Sequence, residues 1–459
     1  MTTFLAFIIV LGVLVFVHEL GHFLAAKWAG IHVHRFSVGL GAPIKALTFT
    51  RGGTEYSVSW IPLGGYVKMA SREEQGGSDA LEGGTASLVD VPPDAVFEAK
   101  PVWKRIVVIL AGVVMNILFA WVVYAGLLWT TGERVTPIRV VGAVLPADSL
   151  PLAVRPLAQL QPGDTIVAVA GQPVEVWEDI GEAILTSASD TIRIEVAGRP
   201  SIVMALHRDA LEERVRAATA LIPRLPPLVP VVGAVTGGRP AAAAGMAVGD
   251  TVLAVDGIPT PVWSEVVERI SERPGQEITV SLARAGTRVE IRVTTLVETV
   301  PDADGTPREV GRIGFAVQDP SVRRPVGMGA ALVGGWGQTV QASTQVVRAV
   351  RGLATGRVST RELGGPIQIG QMAGETARLG GEAFLLFMAL ISVNLAVMNL
   401  LPIPVLDGGQ FLFLVGEAIT GRPLSAKLRE RFSMVGLALI LMLMVLAFSN
   451  DIRRLLGWM

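Results

Sequence analysis

The sequence predicts an α-helical membrane protein with four transmembrane helices, a β-hairpin after the first helix, and a duplicated α+β insert. Hydrophobic residues make up 51% of the 459 residues and charged residues only 17%, and the mean hydropathy is +0.52. These values are typical of membrane proteins and not of an average soluble one. Runs that are long enough, or nearly so, to cross a bilayer occupy residues 4–26, 106–130, 383–401 and 432–448.

The first apolar run is predicted to stay in the chain as a transmembrane helix. It lacks the basic start of a signal peptide, and its apolar core is interrupted by His18 and Glu19. Lysine and arginine are frequent in the connections between runs one and two and between runs three and four. The positive-inside rule therefore places both connections in the cytoplasm, and both termini outside it. Arg453 and Arg454, which follow the last run, count against this orientation.

Charge and cysteine content exclude several classes of site. The net charge is −1 and the basic residues are scattered, so no nucleic-acid partner is expected. Cysteine is absent, which excludes thiolate zinc sites, thiol nucleophiles and disulfides. Histidine, aspartate and glutamate remain as the strong zinc ligands, and the chain has only five histidines.

An internal repeat lies between the second and third apolar runs. Residues 163–173 return at 249–259 with seven of the eleven residues identical, and the letters VGAV precede each copy. Each copy predicts strand, turn, strand and then a helix, such as 264–272 in the second copy. Alternating strands follow at 192–196 and 278–282. The insert therefore consists of two similar α+β domains.

The two copies resemble a pair of PDZ domains, which hold extended peptides as an added strand at a sheet edge. The first is assigned to residues 132–225 and the second to 226–317. The second resembles the family better, since residues 243–250 look like the segment before its Gly-Asp turn and the first copy lacks the matching glycine. A pair that packs only as a spacer is the alternative. Residues 318–382 are predicted to form amphipathic connecting helices.

His18, Glu19 and His22 form an HExxH motif inside the first apolar run. On a helix, two histidines four residues apart lie on one face, as a tetrahedral metal requires. The glutamate between them can take a proton from a water held by that metal. Charged groups in hydrocarbon cost roughly 2–3 kcal/mol each on insertion scales, which favours a functional interpretation. The alternative is a polar cluster that only packs helices.

Asp407 is the candidate for the third ligand that a hydrolytic metal site needs. The prolines at 402 and 404 cannot continue a helix, and the glycines at 408 and 409 allow a tight bend after the carboxylate. Irregular backbone at membrane depth is tolerated only where it is buried in protein or lines a wet cavity. We therefore expect Asp407 to lie at the same depth as His18 and His22.

The HExxH motif and the Asn399–Gly408 segment together resemble the site-2 intramembrane metalloproteases, and the PDZ pair resembles their regulator-of-sigma-E branch. The resemblance covers nearly the whole chain. It implies Zn²⁺ as cofactor, with His18, His22 and Asp407 as ligands and Glu19 as the base that activates water and protonates the leaving amine.

The resemblance also implies two substrate-binding side chains on the third span, Asn399 and Asn394. They would hold the substrate backbone or the developing oxyanion. Their spacing of five residues is not one helical face, and Asn399 lies inside the motif. A hydrogen bond between spans is the alternative for Asn394.

The family has a β-hairpin that dips into the membrane between its first two spans. Here residues 35–41 and 56–67 are β-patterned, within a hairpin region of about 35–69. Its backbone edge would hold an unwound substrate by strand addition. The alternative is a cytoplasmic hairpin with no role in substrate binding.

The resemblance implies substrates and a location. The substrate would be a single-span membrane protein of the anti-sigma-factor type, trimmed first by another protease, and remnant signal peptides are a second class. The partners would be this substrate, membrane lipid and a peptide at the PDZ groove, unless the PDZ pair acts only as a size filter. The location would be the bacterial inner membrane, with the PDZ pair on the periplasmic side and the active site near the cytoplasm.

The predicted organisation ends with a domain of the third and fourth spans. It comprises residues 383–459 and contains the Asn-Pro-Pro-Asp-Gly motif. Residues 1–131 form the first domain, with the first two spans and the hairpin.

Two other functional classes compete with a protease. A metal-ion transporter usually has repeated membrane halves, but the repeat here lies in the insert. A PDZ scaffold would not need the HExxH motif and Asp407 together.

Overall fold

A computed structural model describes residues 2–71, 91–301, 307–357, 359, 363–423 and 425–456. These residues form two compact units. One unit combines Met1–Gly132 with Pro325–Met459, and the other is Glu133–Arg324. Parts of the predicted domains, at 72–90, 302–306 and 457–459, lie outside the described residues.

The described residues form the following helices and strands, each class in chain order. The helices are α1 (Thr2–Ala29), α2 (Val102–Thr131), α3 (Trp177–Thr186), α4 (Leu211–Thr219), α5 (Pro240–Ala243), α6 (Trp263–Ser271), α7 (Met328–Ala354), α8 (Pro366–Leu379), α9 (Gly381–Asn399), α10 (Asp407–Thr420) and α11 (Ala426–Leu455). The strands are β1 (Val33–Pro43), β2 (Phe49–Arg51), β3 (Thr54–Met69), β4 (Glu133–Val135), β5 (Val141–Val144), β6 (Ile166–Val169), β7 (Gln172–Pro173), β8 (Thr191–Val196), β9 (Ile202–Ala205), β10 (Leu221–Pro223), β11 (Val232–Val235), β12 (Thr251–Val255), β13 (Ile258–Pro259), β14 (Glu277–Arg284), β15 (Thr287–Thr294), β16 (Leu296–Pro301), β17 (Pro307–Arg312), β18 (Phe315–Val317) and β19 (Val322–Arg324).

Among the described residues of the first unit, four helices are long and apolar enough to cross a membrane, as the sequence predicts. They are α1, α2, α9 and α11. Helices α2 and α11 extend beyond the apolar runs predicted at 106–130 and 432–448 because both continue through charged residues at their ends. In α11 the helix begins before the cluster of basic residues at 427–431.

Close backbone contact joins α1 to α2. A Cβ atom on Gly21 of α1 would lie 2.3 Å from the backbone oxygen of Ala111 in α2, so only glycine fits. Small residues of this kind let membrane helices approach closely, where van der Waals packing replaces the hydrophobic effect. On another face, Val10 and Leu14 of α1 pack with Phe387 and Met388 of α9. Helix α1 therefore lies against both α2 and α9.

The strands predicted at 35–41 and 56–67 are present, but they form more than a simple hairpin. Strand β3 bends so that β1 pairs with both of its halves: Phe36 is opposite both Tyr56 and Val67. Gly64, with φ of +92°, lies in the bend, in a conformation that favours glycine. Strand β2 pairs with the first half of β3. Among the described residues, the second half of β3 therefore pairs with β1 along one edge only.

The second unit contains the duplication that the sequence predicts. Its two four-stranded sheets have the same order, β7-β6-β8-β9 and β13-β12-β14-β15. Each has a two-stranded partner sheet, β10-β5 in the first half and β11-β18 in the second. Each half also has its own hydrophobic core, one built around Ile194 and the other around Val280. The assignment of these halves to PDZ domains, with boundaries at 132–225 and 226–317, stays a prediction.

A carboxylate from the last span caps the start of α8. Asp451 accepts hydrogen bonds from the backbone N–H groups of Gly365 (2.9 Å), Ile367 (3.0 Å) and Gln368 (3.2 Å). A negative charge is stabilising at a helix N-terminus, where the first N–H groups have no partner within the helix. A Cβ atom on Gly365 would lie 2.5 Å from Asp451 Oδ2, so the glycine before Pro366 makes room for the cap.

Arg214 in α4 is the largest fully buried side chain of the second unit, and we predict that it stabilises the first repeat. Its guanidinium donates to five backbone oxygens, three of them in or just after α3. Arg214→Met would remove these donors and leave the carbonyl groups buried and unpaired. We expect a loss of about 3–5 kcal/mol, since hydrogen bonds to charged groups contribute about 1.5–3 kcal/mol each and are not additive.

The measurement is pulse proteolysis of the full chain in detergent across a urea series, with mass spectrometry to locate the cuts. Arg216→Met is the matched control, because Arg216 lies two residues further along the same helix and its side chain is exposed. Equal urea midpoints for the two variants would contradict the structural role of Arg214.

Candidate metal centre

The structure brings together the three residues predicted as metal ligands. His18 Nε2 and His22 Nε2 are 3.2 Å apart, and Asp407 Oδ2 lies 3.3 Å from the first and 3.6 Å from the second. In a tetrahedral site with ligands at about 2.0–2.1 Å from zinc, neighbouring ligand atoms are about 3.3 Å apart. Among the described residues, this is the one group of three or more potential ligands close enough to hold a metal ion.

Asp407 reaches the histidines because the chain breaks between α9 and α10. It is the first residue of α10, and the turn before it runs from Leu400 to Leu406. A Cβ atom on Gly408 would lie 2.3 Å from the backbone oxygen of Leu400, and one on Gly409 would lie 2.3 Å from that of Ile403. The two glycines therefore let α10 start against the preceding turn, as the sequence predicts.

Residues of helix α2 contact both histidines, and the sequence did not predict these contacts. His22 Nδ1 donates to the backbone oxygen of Val108 at 2.8 Å, and His18 Nδ1 lies 3.1 Å from Asn116 Nδ2. Gly112 lies between these two, and a Cβ atom there would be 2.4 Å from His22 Nε2. Val108, Gly112 and Asn116 are spaced by four residues, so they form one stripe along α2.

The donor set fits a zinc ion. Two imidazole nitrogens and one carboxylate oxygen converge, which is a common set of protein ligands at a catalytic zinc. Asp407 Oδ2 is buried and has no hydrogen-bond partner among the described residues, although a buried carboxylate oxygen without a partner is costly. A divalent cation at this point would satisfy it and both Nε2 atoms.

Glu19 is half-buried on α1, directly after His18 and three residues before His22. The bend of β3 lies beside it. A Cβ atom on Gly65 would be 3.0 Å from Glu19 Cγ and 2.8 Å from Val15 Cγ1. The backbone at the start of the second half of β3 therefore packs against α1 next to the glutamate.

Of the two predicted substrate-binding asparagines, one lies at the metal centre. Asn399 Nδ2, at the end of α9, is 3.4 Å from His18 Nε2. Asn394 is exposed, and the structure does not bring it to the three ligands. Residues five apart differ by about 140° around a helix axis, which accounts for the separation of the two side chains.

A buried ion pair fixes the helix that carries Asp407. Arg105 of α2 donates to both oxygens of Glu417 in α10, at 3.2 and 2.5 Å. The side chains are 9% and 16% exposed, and such a bidentate pair adds geometric specificity as well as energy. Both helices around the metal centre, α1 and α10, are thus anchored on α2.

Comparisons with known proteins agree with this geometry. The sequence profile of peptidase family M50 matches residues 6–443. The regulator of sigma-E protease RseP of Escherichia coli K12 is 34% identical, with 98% of each chain covered. RseP of Salmonella typhimurium 14028s is 33% identical, also with 98% of each chain covered. A protein of Neisseria meningitidis serogroup A named "putative zinc metalloprotease" is 35% identical over the full length of both chains.

The matched region includes His18, His22 and Asp407, all of α2 and α9, and parts of α1 and α11. The predictions of a metalloprotease, of zinc and of the site-2 protease family are confirmed. The apolar helices and the family together indicate a multi-pass membrane protein. The chain therefore belongs to peptidase family M50 and is a zinc metalloprotease.

Proposed function

We propose that the protein is an endopeptidase that cleaves the transmembrane segments of single-span membrane proteins. The observation that carries this proposal is the position of the metal centre. His18 and His22 lie within a helix that can span the membrane, and Asp407 follows another such helix. A hydrolytic site at that depth can reach a peptide bond of a substrate segment that lies within the bilayer.

In this proposal His18, His22 and Asp407 hold the zinc ion. Bound zinc lowers the pKa of a coordinated water towards about 7 and polarises the scissile carbonyl. Glu19 accepts the proton of the attacking water and delivers it to the leaving amine. Asn399, beside His18, donates a hydrogen bond to the oxyanion that develops on the scissile carbonyl, a contact that strengthens in the transition state.

The second half of β3 is proposed to hold the substrate. A transmembrane helix must unwind before water reaches its peptide bonds, and unwound backbone needs hydrogen-bond partners in an apolar setting. In the part of the chain that the structure describes, the second half of β3 pairs with β1 along one edge only, and it begins beside Glu19. Strand addition at its other edge would place an extended segment next to the metal centre.

The substrate class and the location are proposed from the relatives and from charge. Two relatives are named regulator of sigma-E protease RseP, which supports an anti-sigma factor, trimmed first outside the membrane, as the substrate. Remnant signal peptides are proposed as a second class of substrate. The positive-inside rule supports an inner-membrane orientation with both termini and the duplicated unit in the periplasm. The duplicated unit would bind a peptide or exclude untrimmed substrates by size.

Metal removal tests the proposal. The purified full chain in detergent is incubated with a labelled transmembrane peptide, with a zinc chelator, and with chelator followed by excess zinc. We expect cleavage to stop on chelation and to return with zinc. Undiminished cleavage in the chelated sample would contradict a metal-dependent hydrolase, and zinc flux into vesicles without cleavage would support a transporter instead.

A further inference from the structure

Asn116 is a fully buried amide within a membrane-spanning helix that is otherwise apolar around it. Its side chain is 0% exposed, and its amide nitrogen lies 3.1 Å from Nδ1 of His18. Its backbone oxygen accepts a hydrogen bond from Ser392 Oγ of α9 at 2.9 Å. Among the described residues, the one hydrogen-bond partner of the Asn116 side-chain amide is therefore a predicted metal ligand.

The partner of Nδ1 decides which imidazole nitrogen can bind a metal. A neutral histidine carries one proton, and the nitrogen without it has the free lone pair. For His22 the choice is fixed, because the backbone oxygen of Val108 can only accept and so holds the proton on Nδ1. His22 Nε2 therefore faces Asp407 and His18 with its lone pair free.

His18 needs the same tautomer, and its partner is a side chain that can act in two ways. With the amide nitrogen facing Nδ1, a neutral His18 carries its proton on Nε2, where it would block coordination. A half-turn about the Cβ–Cγ bond of Asn116 presents Oδ1 instead, and Oδ1 has no other hydrogen-bond partner. The oxygen and nitrogen of an amide occupy nearly the same positions, so both orientations fit the same space.

We infer that Asn116 is a positioning residue, whose Oδ1 accepts the Nδ1–H of His18 and so presents the free lone pair of Nε2 to the metal. The inference rests on the proposed function, because it takes His18 as a zinc ligand. Outer partners of this kind orient metal-bound histidines, and their loss costs about 10–100-fold in metal affinity. Carboxylates and backbone oxygens usually take this place; here an amide does so inside a membrane helix.

The test measures the zinc dissociation constant of the full chain in detergent by competition with a chromophoric chelator. We expect Asn116→Leu, which cannot accept a hydrogen bond, to bind zinc about 10–100-fold more weakly. Asn116→Asp keeps an acceptor at the same place, and we expect its affinity to stay within about threefold of the unmodified chain or to increase. A visible spectrum with Co²⁺ in place of zinc should show tetrahedral coordination in the Asp variant and a weakened or altered band in the Leu variant.

Ser392→Ala is the matched control, since it removes the other side-chain contact of Asn116 without touching the amide. Its zinc affinity should be unchanged. Asn116→Asp as weak as Asn116→Leu would overturn the inference, because it would show that an acceptor is not what His18 needs. Should the Asp variant fail to fold, zinc affinity in Asn116→Leu equal to that of Ser392→Ala would overturn it as well.

His18→Ala separates this inference from the proposed function. If His18→Ala binds zinc as tightly as the unmodified chain, the predicted ligand set fails, and the role of Asn116 fails with it. If His18→Ala loses zinc but Asn116→Leu binds it normally, the ligand set stands and only the role of Asn116 is overturned.

Discussion

Glu19→Gln should keep zinc and lose about 10²–10⁴-fold in cleavage rate, because a glutamine amide cannot accept the proton of the attacking water. The substitution changes one atom of the side chain and leaves its shape. Glu19 is not one of the three residues whose ligand atoms converge, so the zinc content should not change. The measurements are the single-turnover cleavage rate of a transmembrane peptide and the zinc content of the same purified sample.

Asp407→Ala is the informative comparison for Glu19→Gln. Asp407 supplies one of the three converging atoms, so we expect this variant to lose both zinc and cleavage. Glu268→Gln, an exposed glutamate on α6, should change neither quantity. Cleavage at the normal rate in Glu19→Gln would remove the general-base assignment, and loss of zinc from that variant would make Glu19 a ligand.

The sequence predicted the parts of the metal centre whose chemistry is encoded locally. The spacing of His18 and His22 implies a shared helix face, and the interrupted segment before Asp407 implies a turn that is buried in protein. Both arguments need only helix geometry and the cost of irregular backbone in lipid. We expected the two segments to meet because a hydrolytic metal site needs a third ligand, and the structure places Asp407 Oδ2 3.3 Å from His18 Nε2 and 3.6 Å from His22 Nε2.

The contributions of α2 could not be predicted in this way. In the sequence, Asn116 cannot be distinguished from any asparagine whose amide joins two membrane helices by a hydrogen bond. Gly112 likewise cannot be distinguished from any small residue at a contact between helices. Only the pairing of α1 with α2, set by the fit of Gly21 against Ala111, shows that both face the histidines. The signal available was their spacing of four residues, which places them on one helix face.

Long-range pairing also explains the other differences. The pattern of alternating residues predicted strands at 35–41 and 56–67, but it carries no information on whether β3 bends to pair twice with β1. The capping of α8 at Gly365 could not be predicted, because its partner, Asp451, is more than eighty residues away in the chain. Asn394 was tied to the site by family resemblance alone, and its side chain is exposed on α9.

One methyl group on α2 should abolish the metal centre. In Gly112→Ala the new Cβ atom would lie 2.4 Å from His22 Nε2 and 2.8 Å from His18 Nε2, closer than real Cβ atoms come to any neighbour. Moving α2 away from α1 would break the close packing of Gly21 against Ala111, one residue earlier in α2. The histidine rings must turn instead, and they then lose the partners of their Nδ1 atoms. Ligand misplacement of about 1 Å is enough to disable a site of this kind, so we expect zinc below detection and no cleavage.

Gly126→Ala on the same helix is the matched control, since a Cβ atom there meets nothing within 4 Å. Alanine favours a helix over glycine by about 1 kcal/mol, so both variants gain the same intrinsic helix propensity. Zinc content, cleavage and the thermal midpoint in detergent are measured for both. We expect Gly126→Ala to keep zinc and cleavage, and Gly112→Ala to elute as a folded monodisperse protein without zinc. Normal zinc content in Gly112→Ala would contradict the close packing of α2 against His18 and His22, because a methyl group cannot share the space that the two imidazoles occupy.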